Sequence, residues 1–381
     1  LAAKTNQSAH TYWHGYVSPT NPFTPSGFLG SCQFPQITKQ GLDDSWQHGR
    51  DLYGVYHGLL EFLPKDISSR VSFRVTQNVI TSQVAGMLIN GIYKTQDNVQ
   101  LLVAVCSAPE SVRIDTDSKH QPSGYDALEP TYTCPSAVTI YNNERSTPAW
   151  NNHLAQTSSL SAILDDISGV NPTDSGWHSW FDHYYDNLST RQCHAKPLPC
   201  KVVNGKNSTT CITQDMANEV YRLGNWEYSY IYRDSPSSLN YAVGSFGVWV
   251  AELAQNIRDF IAGKSNVIYR HNVAHDGSVS KLLSLLQIDV MVWPGMGSEV
   301  VFEVYQKTSN NNRYNNKEGG ATSASGYYMR VLWGGQVLRS SSPTLGLMDM
   351  VPLENVLAYF DGFVGQGASL IKGKCSGATP Y

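Results

Sequence analysis

The chain has 381 residues, 41% of them hydrophobic, enough to bury the core of one large domain or of two lobes. Its formal net charge is −4, and no run of Lys or Arg forms the basic footprint of a nucleic-acid or membrane-surface binder. No apolar stretch approaches the roughly 18 residues that a membrane-spanning helix needs, so neither nucleic acid nor membrane is expected as a partner.

Residues 1–40 mix Ser, Thr, Pro, Gly and aromatics without a period and read as an extended N-terminal arm. A helix is predicted from Asp43 and Asp44, carrying Trp46, Leu52, Val55, Tyr56, Leu59, Leu60 and Phe62 until Pro64 stops it. Val71, Phe73 and Val75 alternate as a strand, and residues 78–92 return to helical spacing. Residues 101–105 are a continuous apolar run of the kind found in buried strands. From 107 to 235 loops and short helices dominate, with four cysteines and the aromatic cluster WHSWFDHYY at 177–185. This stretch reads as an inserted, mostly helical cap, which leaves 41–106 and 236–381 as an α/β core.

Residues 240–262 form a long apolar helix. It leads into VIYRHNVAHDGSVSKLL at 267–283, where a β-branched run delivers His275 and Asp276 to a Gly-Ser turn that opens a helix. An imidazole and a carboxyl are thereby presented at a strand end, beside helix N-terminal amides that favour anions. Further strands are predicted at 299–305 and 327–333, joined across an Asn-rich hairpin tip at 309–317. No internal repeat is present.

Compartment is read from three features. The chain begins at Leu1, so removal of an upstream signal peptide or pro-segment is expected. Sequons at Asn6, Asn187 and Asn207 suit a glycosylated, secreted protein. Seven cysteines without metal-ligand spacing point to disulfides, with one thiol free or paired with a segment absent from this chain. No metal and no cofactor are expected.

The runs AHDGSVSKLLSLLQ, WPGMGSEVVFEVY and YYMRVLWGGQVL together resemble the C-terminal half of the histidine acid phosphatases, nearest to a secreted fungal branch. GSCQFPQITKQGLDDSWQHGRDLYGVY and RVSFRVTQNVITSQVAG are similar to that family's N-terminal segments, in the same order, so the resemblance covers nearly the whole chain. It implies a central sheet flanked by helices, with a helical cap. It also implies a two-step phosphomonoester hydrolysis. A His in an R-H-G-x-R-x-P motif attacks phosphorus, arginines there and in an R-T motif hold the phosphate with the His of a His-Asp pair, and the Asp protonates the leaving alcohol. Several fixed cations are what a phosphoryl group spreading charge over its oxygens requires.

Residue by residue, His275 and Asp276 match the His-Asp pair, and Arg74, Thr76 and Thr81 match parts of the R-T segment. Ile80 occupies the phosphate-binding arginine position, and an aliphatic side chain neutralises nothing there. Residues 13–19 keep His14, Gly15 and Pro19 at the family spacing, but Trp13 and Val17 stand in place of both arginines. The chain therefore reads as a diverged member with degenerate phosphate-binding motifs.

Three functions are carried forward. The first is a secreted hydrolase acting by acid/base chemistry through Asp276, with His275 and Glu299 as further catalytic candidates and Arg74 and Arg270 as binding candidates. Its substrate would be a non-phosphate small molecule such as a glycan, because hydrolysis of a sugar linkage needs two carboxyls about 5–9.5 Å apart and no phosphate cradle. The second is a phytase-like acid phosphatase using His14 or a His on a removed upstream segment; that cleaved segment is itself a candidate partner. The third is a non-catalytic pseudophosphatase that binds a ligand.

Plainer readings stand beside these. An Asp at a helix start is a common cap, worth about 0.5–2 kcal/mol. The helical spacing of Trp177, Trp180, Phe181, Tyr184 and Tyr185 makes core packing their default and a sugar-stacking surface the lesser reading. Glu303, the Asp182–His183 and Asp165–Asp166 pairs and His194 read as structural. Arg222, Glu227 and Arg233 are candidates for the cap's inner side.

Overall fold

The computed structural model describes residues 37–76, 79–93, 127–129, 132–307 and 324–378. His14, Asn6, the apolar run at 101–105 and the Asn-rich loop at 309–317 lie outside them.

Helix α1 (Lys39–Tyr53) starts ahead of the acidic pair because Thr38 caps it, its hydroxyl accepting from the Gly41 amide at 3.0 Å. One π-helical turn (Gly54–Leu59) continues it. Strand β1 (Val71–Val75) and helix α2 (Val79–Tyr93) follow. Two glycines let α1 and α2 meet backbone to backbone. A Cβ at Gly49 would stand 2.2 Å from the Leu88 carbonyl oxygen, and one at Gly91 2.1 Å from that of Trp46. Leu52, Leu88, Ile89 and Ile92 close over Val71 and Phe73 to form a small apolar cluster.

The stretch expected as a cap holds α3 (Pro135–Glu144), α4 (Pro148–Gln156), α5 (Ser158–Ser168), the short α6 (Ser175–His178), α7 (Asp182–Cys193) and α8 (Gln214–Ser229). A hairpin of β2 (Cys200–Val203) and β3 (Lys206–Cys211) interrupts the helices and is closed by a Cys200–Cys211 disulfide. Leu164, Phe181, Tyr184, Leu188 and Val220 give the cap an apolar cluster of its own. Trp150, Tyr228, Ile231 and Tyr232 instead join the main core.

That core is organised on α9 (Ser238–Ile261), whose Ala242, Phe246 and Val250 are fully buried. Among the described residues no helix is long and apolar enough to cross a membrane. Strand β4 (Tyr269–Val273) pairs in parallel with β1, Val71 opposite Tyr269 through Val75 opposite Val273, and α10 (Asp276–Leu285) follows it at once. Strands β5 (Val300–Gln306) and β6 (Tyr327–Trp333) form an antiparallel pair. The helices α11 (Leu353–Val364) and α12 (Ile371–Ser376) complete the chain, and a Cys134–Cys375 disulfide ties the start of α3 to α12. The expected α/β class is present, with its strands in small separate sheets: among the described residues the second edges of β4 and β5 are unpaired. Cys193 is exposed as a thiol at the end of α7.

Glu144, the last residue of α3, is 2% exposed, and neither carboxyl oxygen has a well-formed hydrogen bond. Burial raises its pKa to about 7, the Ser235 hydroxyl opposing. The unfolded chain ionises near 4.5, so this group's contribution is complete below that pH, declines as pH rises and is gone above about 7. The loss is on the order of 3 kcal/mol. Denaturant melts of Glu144→Gln across this range should show that slope flattened, with the variant more stable than the parent at the alkaline end.

Candidate active site

The site is assembled where β1 and β4 end side by side. The Thr76 amide donates to the Val273 carbonyl at 3.2 Å, prolonging the ladder by one bond and bringing the Thr76 hydroxyl to His275. His275 is extended, with φ −114° and ψ 164°, and its side chain makes no capping bond to α10. Its Nε2 stands 3.2 Å from Thr76 Oγ1 and 3.3 Å from Glu129 Oε2. Thr76 Oγ1 is in turn 3.0 Å from Thr81 Oγ1. The bond to His275 is the largest of the effects that hold the Glu129 carboxyl below the usual range.

Asp276 is the first residue of α10, next to the N-cap position held by His275, and its Oδ1 accepts from the adjacent Gly277 amide at 2.7 Å. Its Oδ2 reaches beyond the helix. It accepts from the Trp293 indole at 2.6 Å and from the Tyr228 hydroxyl at 2.8 Å, one donor from the core and one from the cap. Burial first, then the Asp276 charge, pushes the Tyr228 hydroxyl well up. Lys281, on α10, is lowered to about 8 by burial, with Asp276 and Glu129 opposing.

An aromatic pile stands against this carboxylate. Trp293 stacks on Tyr185 at 4.0 Å and 13° and on Tyr228 at 4.1 Å and 21°. Trp180 lies parallel to Tyr228, 6.3 Å away. Gly224 on α8 makes the closeness feasible, since a Cβ there would stand 2.5 Å from the Tyr185 ring and 3.0 Å from Trp293. The WHSWFDHYY cluster thus divides: Phe181 and Tyr184 are core, whereas Trp180 and Tyr185 turn toward Asp276's neighbours.

The other predicted site residues fall elsewhere. Arg74 donates to Glu252 on α9 at 2.6 Å, and exposed Arg270 reaches Ser265 at 3.4 Å. Neither arginine contacts His275 or Asp276 among the described hydrogen bonds and ion pairs. Glu299, expected as a second catalytic carboxylate, is engaged by His48 at 3.3 Å instead. That bond raises the His48 pKa and lowers that of Glu299. His271, near both, is pushed down to about 4 by burial. Glu303 is structural, accepting from Tyr56, Tyr305 and Arg330 across β5 and β6.

Of the sequons, Asn207 is exposed on β3, while Asn187 is half-buried in α7 with its amide donating to the His183 carbonyl at 2.7 Å. Asp182 bonds His183, Asp165 bonds His178 and Tyr184, Asp166 pairs with Lys201, and His194 meets Thr38. Glu227 is buried against His153 and the Phe181 amide. Arg233 bonds the Ile288 carbonyl, and Arg222 pairs with Glu219 at the surface. Among the described residues no group of three or more His, Cys, Asp or Glu side chains could hold a metal ion.

Sequence reasoning passed over Tyr228, Trp293, Glu129 and Lys281. Trp293 lies in the WPGMG run that carried the resemblance, but nothing local marks its indole as a partner of Asp276.

Phytase from Citrobacter braakii matches with a TM-score of 0.59 and 12% identity, over 93% of this chain and 97% of that one. This chain shares the phytase fold. Apo phytase from Hafnia alvei matches at 0.57 with 13% identity over 93% of this chain and 95% of its own. Among curated proteins, Counting factor 60 of Dictyostelium discoideum is 26% identical over 289 residues. That match covers 74% of this chain and 62% of the relative, so less than two thirds of the relative's length is spanned. No protein-family profile matches.

Because Tyr228 and Trp293 share one oxygen of Asp276, their contributions should couple. Tyr228→Phe and Trp293→Phe are each expected to cost about 1–3 kcal/mol, and the double variant to depart from additivity by at least about 0.5 kcal/mol. Denaturant melts of the four-protein cycle measure this, and strict additivity would contradict the shared acceptor.

Proposed function

We propose that the chain is a secreted hydrolase on the histidine acid phosphatase scaffold with a diverged phosphate cradle. It acts by acid/base chemistry through Asp276 on a non-phosphate substrate, a glycan being the class favoured. The observation that carries this reading is the company Asp276 keeps. Trp293 and Tyr228 meet its carboxylate through their N–H and O–H groups, Tyr185 stacks on Trp293, Trp180 lies parallel to Tyr228, and the described groups around His275 and Asp276 include carboxyls but no guanidinium. Aromatic faces suit sugar rings, whereas phosphate demands convergent fixed cations. Arg74 is engaged by Glu252, Ile80 stands at the expected arginine position, and His275 and Lys281 are each biased by neighbouring carboxyls. Secretion and glycosylation are supported by the two disulfides and by the exposed Asn207 sequon.

The fold itself favours a second reading, an acid phosphatase, since its structural neighbours include phytases over 93% of the chain. That reading requires a nucleophilic imidazole beside His275, from His14 or an upstream segment. Fold alone does not decide between them, because function lives in the site.

The two separate in one assay of wild type and Asp276→Asn against aryl and natural glycosides and p-nitrophenyl phosphate at acidic pH. Glycoside turnover is expected, falling by about 10²–10⁴ in Asp276→Asn, with circular dichroism showing that the variant is folded. Phosphate release with a trapped phosphohistidine would establish the phosphatase instead. Inactivity on both substrates would leave the ligand-binding pseudophosphatase.

A further inference from the structure

We propose that Lys281 and the Tyr232 hydroxyl form an anion-binding subsite beside Asp276, so that the glycan taken carries an acidic group, a carboxylate or a sulfate, on a sugar next to the bond cleaved. It rests on the glycan-hydrolase reading above and narrows the substrate class of that same site.

The two groups meet on one face of α10. Gly277 and Lys281 stand four residues apart and share that face, and a helical side chain leans back toward the helix start. Lys281 is thereby directed along the helix toward Gly277. Two tyrosines from other elements cover the same face. The centre of the Tyr241 ring, on α9, lies 5.9 Å from Lys281 Nζ. Tyr232 belongs to the π-helical turn Tyr230–Asp234 between α8 and α9, and its ring is 6.0 Å from that of Tyr241. Its hydroxyl is 4.0 Å from the point where a Gly277 Cβ would stand, so the missing side chain leaves room in front of it. The Gly277 amide is also the donor to Asp276 Oδ1, at 2.7 Å. The face therefore borders the Asp276 oxygen that neither Tyr228 nor Trp293 uses.

Both groups have donors to spare. Tyr232 is 5% exposed, yet among the described residues its hydroxyl makes no hydrogen bond, and a buried hydroxyl left unmatched is costly. Lys281 is half-buried, and among the described residues no hydrogen bond or ion pair engages its ammonium. Asp276 and Glu129 act on its charge through space without pairing with it. Burial lowers its pKa to about 8, so it is a cation in acid and neutral solution. A partly desolvated ammonium with three unspent donors, beside a hydroxyl without a partner, suits an anion that the protein does not itself supply. One ammonium and one hydroxyl can hold a carboxylate or sulfate substituent, whereas a reacting phosphoryl group needs several converging cations.

Titration calorimetry tests this with two matched pairs of ligands: oligogalacturonate against its methyl ester, and sulfated against unsulfated dextran oligosaccharide. The proteins are wild type, Lys281→Met, Lys281→Arg and Tyr232→Phe, each shown by circular dichroism to be folded. Wild type should bind at least one acidic form about tenfold or more tighter than its neutral counterpart. Lys281→Met keeps the apolar stem and should bind that acidic form no better than the neutral one. Lys281→Arg should keep part of the preference, and Tyr232→Phe should weaken it several-fold. If Lys281 only balances Asp276 and Glu129, Lys281→Met shifts acidic and neutral ligands equally, and the subsite is overturned. It is overturned too if wild type shows no preference, or if inorganic sulfate alone is bound as tightly as the sulfated oligosaccharide. Glycoside turnover by the same wild-type protein judges the parent reading separately. Turnover of glycosides without a preference for acidic ligands removes the subsite alone, whereas no turnover of either kind removes the reading and the substrate class with it.

Discussion

The parallel ladder between β1 and β4 is the constraint on which the rest depends. It pairs Val71–Val75 with Tyr269–Val273, strands separated by the whole cap and by α9. Parallel neighbours cannot be joined by a tight turn, so the intervening chain has to cross over, and here that crossover is large enough to carry a subdomain. Because both strands run the same way, their C-terminal ends coincide. Thr76 meets His275 there, and α10 begins at the next residue. Slipping the register by one residue would turn Val71 and Phe73 out of their cluster and carry Thr76 away from the imidazole.

A second dependence runs from the cap inward. The cap has its own apolar cluster around Leu164 and Tyr184, so it does not rely on the core for all of its packing. Its attachment is made by Tyr228, Ile231 and Tyr232, which enter the core beside α9, and by the pile of Tyr185 and Tyr228 on Trp293. The residues that fasten the cap are therefore the ones that surround Asp276. Packing and chemistry share side chains, which makes the geometry of this carboxylate sensitive to how the cap sits. The Cys134–Cys375 bridge limits that freedom by tying the first cap helix to the end of the chain.

Much of the local structure was legible beforehand. The alternation of Val71, Phe73 and Val75, the long apolar run of α9 and the strand-to-helix passage at His275–Asp276 depend on neighbours a few residues apart, and each is found near its expected place. The helix expected from Asp43 to Pro64 is found as α1 and a π turn, and Val55, Leu59, Leu60 and Phe62, in and after the wider π turn, are exposed. Glu299, expected as a cleft carboxylate, meets His48 from α1, a partner that the local sequence does not indicate.

By itself the sequence determined the identity of the elements, the presence of an acid and an imidazole at a strand end, and the absence of arginine at position 80, since these follow from residue type and short-range periodicity. Only the tertiary structure decided which groups meet them. Trp293, Tyr228 and Glu129 come from three separate places in the chain, and the hydrogen bonds and ion pair that act on Asp276 and His275 arise only when those segments pack together. Burial and through-space charge depend on distance in space, which the order of residues does not encode locally.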